Sequence, residues 1–322
     1  MITKPSQIAG SNQKLRVLIA GHPGIGKTTL ALSAPKPLLI DSDLGVQRVH
    51  VSHRTDCIRM ESYKQIKEDL KGDLSDYETI VIDTGGELLN LMKISVIGND
   101  IKNSKSNGDL SLQGFGAVGQ EFASFCRNIF YDLHKHLVII FHAKEEKVGE
   151  DTVLRIMVEG QTKNTIWQSM EIGGFIEIAG NKRILSLENS ERHFGKCTHG
   201  IPARIEIPQL GCIKNGQWVE TAKNDLLTRL FDLVNDNIKK EIEIYSGEKE
   251  AYETAMAYGK ECINAITREN FNEAFAAMKN IKHALTSEKE IKELTRKKLT
   301  ELGIVYDAKE KKYVIPNNSK SA

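Results

Sequence analysis

The stretch Gly21-His22-Pro23-Gly24-Ile25-Gly26-Lys27-Thr28 constrains this chain more than any other. It satisfies the phosphate-loop pattern G-x-x-x-x-G-K-[ST] without a mismatch. Its flanks fit the same reading. Before it, Leu15 to Ala20 is an apolar, β-branched run that reads as a buried strand; after it, Thr28 to Ser33 lacks helix breakers until Pro35. A strand, a glycine-rich turn and a helix N-terminus together form an anion site. Backbone N–H groups converge there on phosphates, and the helix dipole adds partial positive charge. The expected nucleotide cradle is Gly21, His22, Pro23, Gly24, Ile25, Gly26, Lys27, Thr28 and Thr29. Within it, Lys27 is expected to reach the β- and γ-phosphates and the Thr28 hydroxyl to ligate Mg²⁺.

Further along, Leu38-Leu39-Ile40 reads as a strand that ends in Asp41-Ser42-Asp43, and Thr79-Ile80-Val81-Ile82 as one that ends in Asp83. An acid at the end of an apolar strand, at this distance after a phosphate loop, is expected to hold the Mg²⁺ shell, so the metal residues are Thr28 and Asp83. Asp83-Thr84-Gly85-Gly86 fits the D-x-x-G pattern of GTPases, but the chain has no N-K-x-D guanine-reading motif, which favours ATP. Because residue 84 is Thr, no acidic pair ends that strand. The carboxylate that orients water is therefore sought at Asp43, with Glu87 as the alternative. Leu137 to Phe141 is another apolar run, and it delivers His142 to the same ligand edge, where a polar group could sense the γ-phosphate. The expected catalytic set is Lys27, Asp43, Asp83 and His142. Strands alternating with helical patterns from Leu15 to Phe141 predict an α/β fold with a mostly parallel, doubly wound sheet.

The character of the chain changes near Thr221, beyond which it is helical in pattern and rich in Lys and Glu. This places a nucleotide-binding domain over 1–218 and a smaller helical domain over 219–322. The net charge of +1 gives no bulk electrostatic signature of a nucleic-acid binder, so DNA contact would have to come from local loops. Two segments are expected to be such loops: Gly98 to Gly114, rich in Asn, Ser and Gly, and the charged stretch from Ala143 to Lys163. No apolar run approaches a membrane span. The five cysteines contain no C-x-x-C pair, and His193, Cys197, His199 and Cys212 match no zinc spacing; a reduced, cytoplasmic setting is expected.

The ordered set Gly21–Thr28, Leu39–Asp43, Ile80–Asp83 and Phe141-His142-Ala143-Lys144 resembles the phage AAA-type nucleotide-binding proteins, which include RecA-like single-strand annealing recombinases. The resemblance covers roughly residues 12 to 210. It implies a RecA-like P-loop ATPase using ATP and Mg²⁺, with the strand Leu137–Phe141 lying between the phosphate-loop strand and Thr79–Asp83. It also implies single-stranded DNA as a partner, with a single-strand binding protein and assembly into a homo-oligomer as further expectations. Asp41-Ser42-Asp43 is similar to an Asp-Thr-Glu-like triplet whose acid activates water, one methylene shorter here. Lys196 loosely resembles the basic residue that recombinases place at a subunit interface. The competing readings are an NTP-switched adaptor and a loader or packaging ATPase, each working through a protein partner.

Overall fold

A computed structural model describes residues 13–42, 45–158, 162–308, 310 and 312–316. The strand β1 (Arg16–Gly21) runs into the phosphate loop and the short helix α1 (Lys27–Ala31). There follow β2 (Pro37–Asp41), β3 (Cys57–Arg59), α2 (Tyr63–Asp69), β4 (Thr79–Asp83) and α3 (Gly85–Asn99). The helix α4 (Leu112–Arg127) continues as one π-helical turn over Asn128–Asp132. Next come β5 (His136–Val148), β6 (Asp151–Ile156), α5 (Thr162–Gln168), β7 (Ile172–Ala179), β8 (Lys182–Ser186) and β9 (Arg204–Ile207).

These nine strands form one mixed sheet in the order β3-β2-β4-β5-β1-β7-β8-β9, with β6 paired to β5. The six from β3 to β7 are parallel, whereas β8, β9 and β6 join antiparallel. The strand β5 lies between β1 and β4, as the resemblance implied; a GTPase- or kinase-like order would have made β1 and β4 neighbours.

Both faces of the sheet are dry, which explains why its central strands are apolar runs and not alternating ones. Leu18, Ile80, Ile82, Leu137, Ile139 and Phe141 pack on one face against Ile66 of α2, Met92 of α3 and Phe122 of α4. Their sequence neighbours Val17, Ile19, Val81, Val138 and Ile140 point the other way and are equally buried. On that second face Phe231 stacks on His136 with ring centroids 4.6 Å apart. Phe231 belongs to α6 (Leu226–Asn264), whose first turns are tied to the end of α1: Leu227 N–H donates to Ser33 Oγ at 2.9 Å and Thr228 Oγ1 to the Ser33 carbonyl at 2.8 Å.

The chain divides into two compact units, the first ending at Asn237 and the second beginning at Ile238. The division falls within α6, after the apolar stripe Leu226, Leu227, Leu230, Phe231 and Val234 has been buried. Between the sheet and α6, β10 (Gly211–Lys214) and β11 (Gln217–Glu220) form a separate hairpin. The second unit is built from the rest of α6, α7 (Phe271–Met278), α8 (Ser287–Glu301) and the hairpin β12 (Val305–Asp307)–β13 (Lys312–Val314). It has its own core, including Met256, Ile263, Phe271, Ile291 and Leu299. Among the described residues, no helix is long and apolar enough to cross a membrane.

Much of each segment expected as a mobile loop is regular structure among the described residues. Helix α3 runs through Asn99, a 3₁₀ turn covers Ile101–Asn103, and Ser104 bridges Leu110 just before α4 begins. The buried Asn103 side chain donates to the Val96 carbonyl at 3.1 Å and holds this turn against α3. The charged stretch after His142 is the extension of β5 itself. It pairs with β6 from Ala143↔Ile156 to Val148↔Asp151 around a turn at Gly149, whose φ is +66°. The charged run Lys144–Lys147, paired across to Thr152, Val153, Leu154 and Arg155, suits a two-stranded ribbon as well as it suits a loop, which is why composition alone misread it. Residues 159–161 lie outside the described residues.

Candidate nucleotide site

Parallel strands present their C-terminal ends at one edge of a sheet, and ligands of open α/β folds bind there. Register brings the expected residues to that edge. Gly21 of β1 is level with His142 of β5, and Asp41 of β2 is level with Asp83 of β4. The phosphate loop crosses above them. Gly24 and Gly26 have φ of +76° and +99°, values that favour glycine and let the backbone curl around an anion.

Lys27, on the first turn of α1, is only 6 % exposed. Its Nζ donates to the His22 carbonyl at 2.9 Å and lies 3.4 Å from His142 Nδ1. Burial lowers its pKa, and the charge of Asp83 offsets this in part. A buried ammonium that donates to a carbonyl and lies beside an imidazole, with Asp83 as a nearby charge, is a cation poised for a stronger anion. Thr28 Oγ1 donates to Asp83 Oδ2 at 2.6 Å. Two hard oxygen ligands meeting at that distance, one charged and one neutral, fit Mg²⁺.

The pair of acids after β2 splits into two cases. Asp41 is 1 % exposed and accepts from Gly45 N–H at 2.9 Å and Val46 N–H at 3.0 Å, so it caps the 3₁₀ turn Gly45–Arg48. Asp43 lies outside the described residues. Ser42 ties the two strand ends together: its N–H donates to the Asp83 carbonyl at 2.8 Å and its Oγ accepts from Thr84 N–H at 3.1 Å. Glu87, the alternative acid, sits in the first turn of α3 behind the Thr84 cap and accepts from Asn90 Nδ2 at 3.0 Å. With Thr84, His142 and Lys144 it borders a cavity of ≈ 520 Å³.

A phosphate loop fed by β1, an acid on β4 bonded to the loop's threonine, and β5 between them carrying a polar residue to the loop's lysine are the parts of a nucleotide site. A sequence profile of the AAA domain family matches residues 13–199, more than half of the chain. The chain belongs to the AAA domain family. It is therefore a P-loop NTPase by family and by fold. No curated protein matches it.

Sequence reasoning missed one cation at this AAA domain's loop. Arg183 of β8 places its guanidinium over the phosphate loop, Nη1 lying 3.5 Å from the Ile25 carbonyl. A Cβ built on Gly26 would come within 2.6 Å of that same atom, so the missing side chain makes room for the arginine as well as for an anion. No carboxylate pairs with Arg183 among the described residues. Its signal in the sequence was weak: an Arg two residues past the Gly180-Asn181 turn reads as ordinary hairpin polarity. Lys196, by contrast, is anchored within its own chain, its ammonium donating to the Met170 carbonyl and its backbone pairing with Gly173.

Proposed function

We propose that this AAA domain is an ATP-dependent enzyme acting on single-stranded DNA in recombination or annealing, of the RecA-like type. The observation that carries the reading is the central position of β5. It sets His142 between the phosphate loop and β4, 3.4 Å from Lys27, and runs straight on into the β5–β6 hairpin. A group that senses the γ-phosphate is thereby continuous with an element that reaches out to a second ligand. In this reading Lys27 neutralises the transferred phosphoryl group, and Arg183 adds charge at the loop. Thr28 and Asp83 hold Mg²⁺, which would supply electrostatic stabilisation of the phosphate oxygens. The chain's own work is positioning and charge stabilisation.

Asp43 orients the attacking water, with Glu87 as the alternative. Asp43→Asn should then keep ATP binding and lose most hydrolysis, since an amide keeps the size but accepts no proton, while Glu87→Gln stays mild. The reverse pattern, read in a phosphate-release assay, moves the role to Glu87.

The direct test is ATPase activity with and without single-stranded DNA: stimulation several-fold or more is expected. An NTP-switched adaptor is the second reading. It is favoured by the second unit, whose separate core makes it a self-contained module for a protein partner. Hydrolysis indifferent to DNA at every strand length would turn the choice to that adaptor.

A further inference from the structure

Behind the phosphate loop, on the far side of β6, lies a cavity of ≈ 400 Å³ bounded by β6, α5 and β7. That volume is in the range of small-molecule sites. Its walls are aromatic. Trp167 of α5 and Phe194 meet edge to face with ring centroids 4.9 Å apart, and Phe175 of β7 closes the floor. Phe194 is 45 % exposed although it has this partner. Arg155 of β6 and Lys163 of α5 make the lining cationic, and Gln168 also belongs to it. Several other surface lysines pair with acids, as in Lys36–Glu78, Lys67–Glu121 and Lys182–Glu206. Neither Arg155 nor Lys163 has an ion-pair partner among the described residues, and no acidic side chain among them lines the cavity.

A half-exposed phenylalanine ring beside a partly buried indole, with cations that have no ion-pair partner among the described residues and an amide on the same lining, suits a nucleotide unit. The base stacks, the phosphate is neutralised, and the base edge hydrogen-bonds. We propose that this cavity binds a nucleobase of a single-stranded nucleic acid, stacked on the half-exposed ring of Phe194 and in contact with Trp167, with Arg155 and Lys163 on the adjoining phosphates. The proposal rests on the DNA-linked reading above and names the site at which the strand is held.

The cavity is joined to the nucleotide site by one strand. Leu154 of β6 lines it on one side and on the other lines the neighbouring space against His22, Pro23, Gly24 and Ile25. Its N–H donates to the Arg192 carbonyl at 2.6 Å, two residues before Phe194. Arg155 pairs with Lys144 of β5, two residues past His142. A strand bound here is thus one β-ladder away from the group that faces Lys27.

The chain has two tryptophans, and Trp218 lies in the β10–β11 hairpin, stacked on His50. Trp218→Phe therefore leaves Trp167 as the only indole, and its fluorescence reports directly on stacking. Titrating that protein with oligo(dT) should quench Trp167 saturably, over the same concentrations at which a fluorescein-labelled oligo(dT) gains anisotropy. Phe194→Ala should weaken binding about fivefold or more. Arg155→Ala with Lys163→Ala should weaken it further and lower the salt slope by about 0.7 for each phosphate that is no longer neutralised.

If the labelled strand binds while Trp167 fluorescence stays unchanged, the cavity is not its site, and only this inference falls. If dTMP quenches Trp167 and oligo(dT) does not, the cavity serves a free nucleotide and the strand assignment is wrong. If no strand binds by anisotropy at all, both the inference and the reading beneath it are overturned.

Discussion

At the scale of single residues, the site is organised by charges that have been desolvated before any ligand arrives. Lys27 is the clearest. Burial lowers its pKa, so the folded protein carries a penalty for its charge that an anionic ligand would remove. Lys27→Met should leave the melting temperature of the nucleotide-free protein equal or higher, while removing most of the rise that Mg-ATP gives the unsubstituted protein. A thermal-shift series with and without Mg-ATP checks both halves; an undiminished shift in Lys27→Met would remove the lysine from the site. Arg183 calls for a different experiment, because it touches the loop from β8 and is partly exposed. Arg183→Ala should weaken Mg-ATP binding roughly fivefold or more, and Arg183→Lys should recover only part of it, since a point charge cannot reproduce the fork of a guanidinium. Titration calorimetry on the three proteins decides it. That Lys27, Thr28 and Asp83 come together could be read from the chain, because their places follow from local motif chemistry. Arg183 could not, because nothing local marks an arginine that happens to fold back over a loop.

At the scale of elements, β5 is the part on which the most depends. Its start is fixed by His136, 5 % exposed, whose Nδ1 accepts from Leu15 N–H at 3.0 Å while its ring stacks on Phe231. Burial pushes its pKa down to about 3, with the charge of Lys14 acting in the same direction. In the unfolded chain an imidazole titrates near 6.5. Between those two values the unfolded state binds a proton that the folded state refuses, so stability falls as pH drops through that window and is fully present above about 6.5. The slope from this one group approaches about 1.4 kcal/mol per pH unit at most. His136→Gln, which keeps an acceptor but does not titrate, should be less stable at neutral pH yet lose stability less steeply on acidification. Urea unfolding at a series of pH values between neutrality and acid gives the comparison; parallel slopes would show that His136 titrates as freely when folded. The far end of β5 shows where periodicity fails. An apolar run identified the buried half, but the charged half has no core face, and only its pairing with β6 makes it a strand.

At the scale of the whole molecule, the two units raise the question of where the first is complete. The composition of the chain shifts near residue 218, yet the stripe Leu226, Leu227, Leu230, Phe231 and Val234 is buried, and the hydrogen bonds to Ser33 belong to the same docking. Ending the chain after Asn237 should give a folded, nucleotide-binding protein. Ending it after Trp218 should cost roughly 5 kcal/mol or more, at about 1.5–3 kcal/mol for each large apolar side chain removed from the face it covers. Chemical denaturation of the two truncated proteins measures this, and equal midpoints would mean that α6 adds nothing to the first unit. What the sequence by itself determined was the phosphate loop, the apolar strands, the acid that ends β4 and the α/β class. Each of these is written in residues adjacent along the chain, where sterics and periodicity act directly. The place of β5 between β1 and β4, with His142 beside Lys27, was implied by the family resemblance and not by periodicity, and only the tertiary structure showed that Arg183 covers Gly26. It alone brought Trp167 and Phe194 together across 27 residues of sequence. Strand periodicity is the same whichever strand lies alongside, so order and neighbours are set by which faces of the whole sheet can be buried at once.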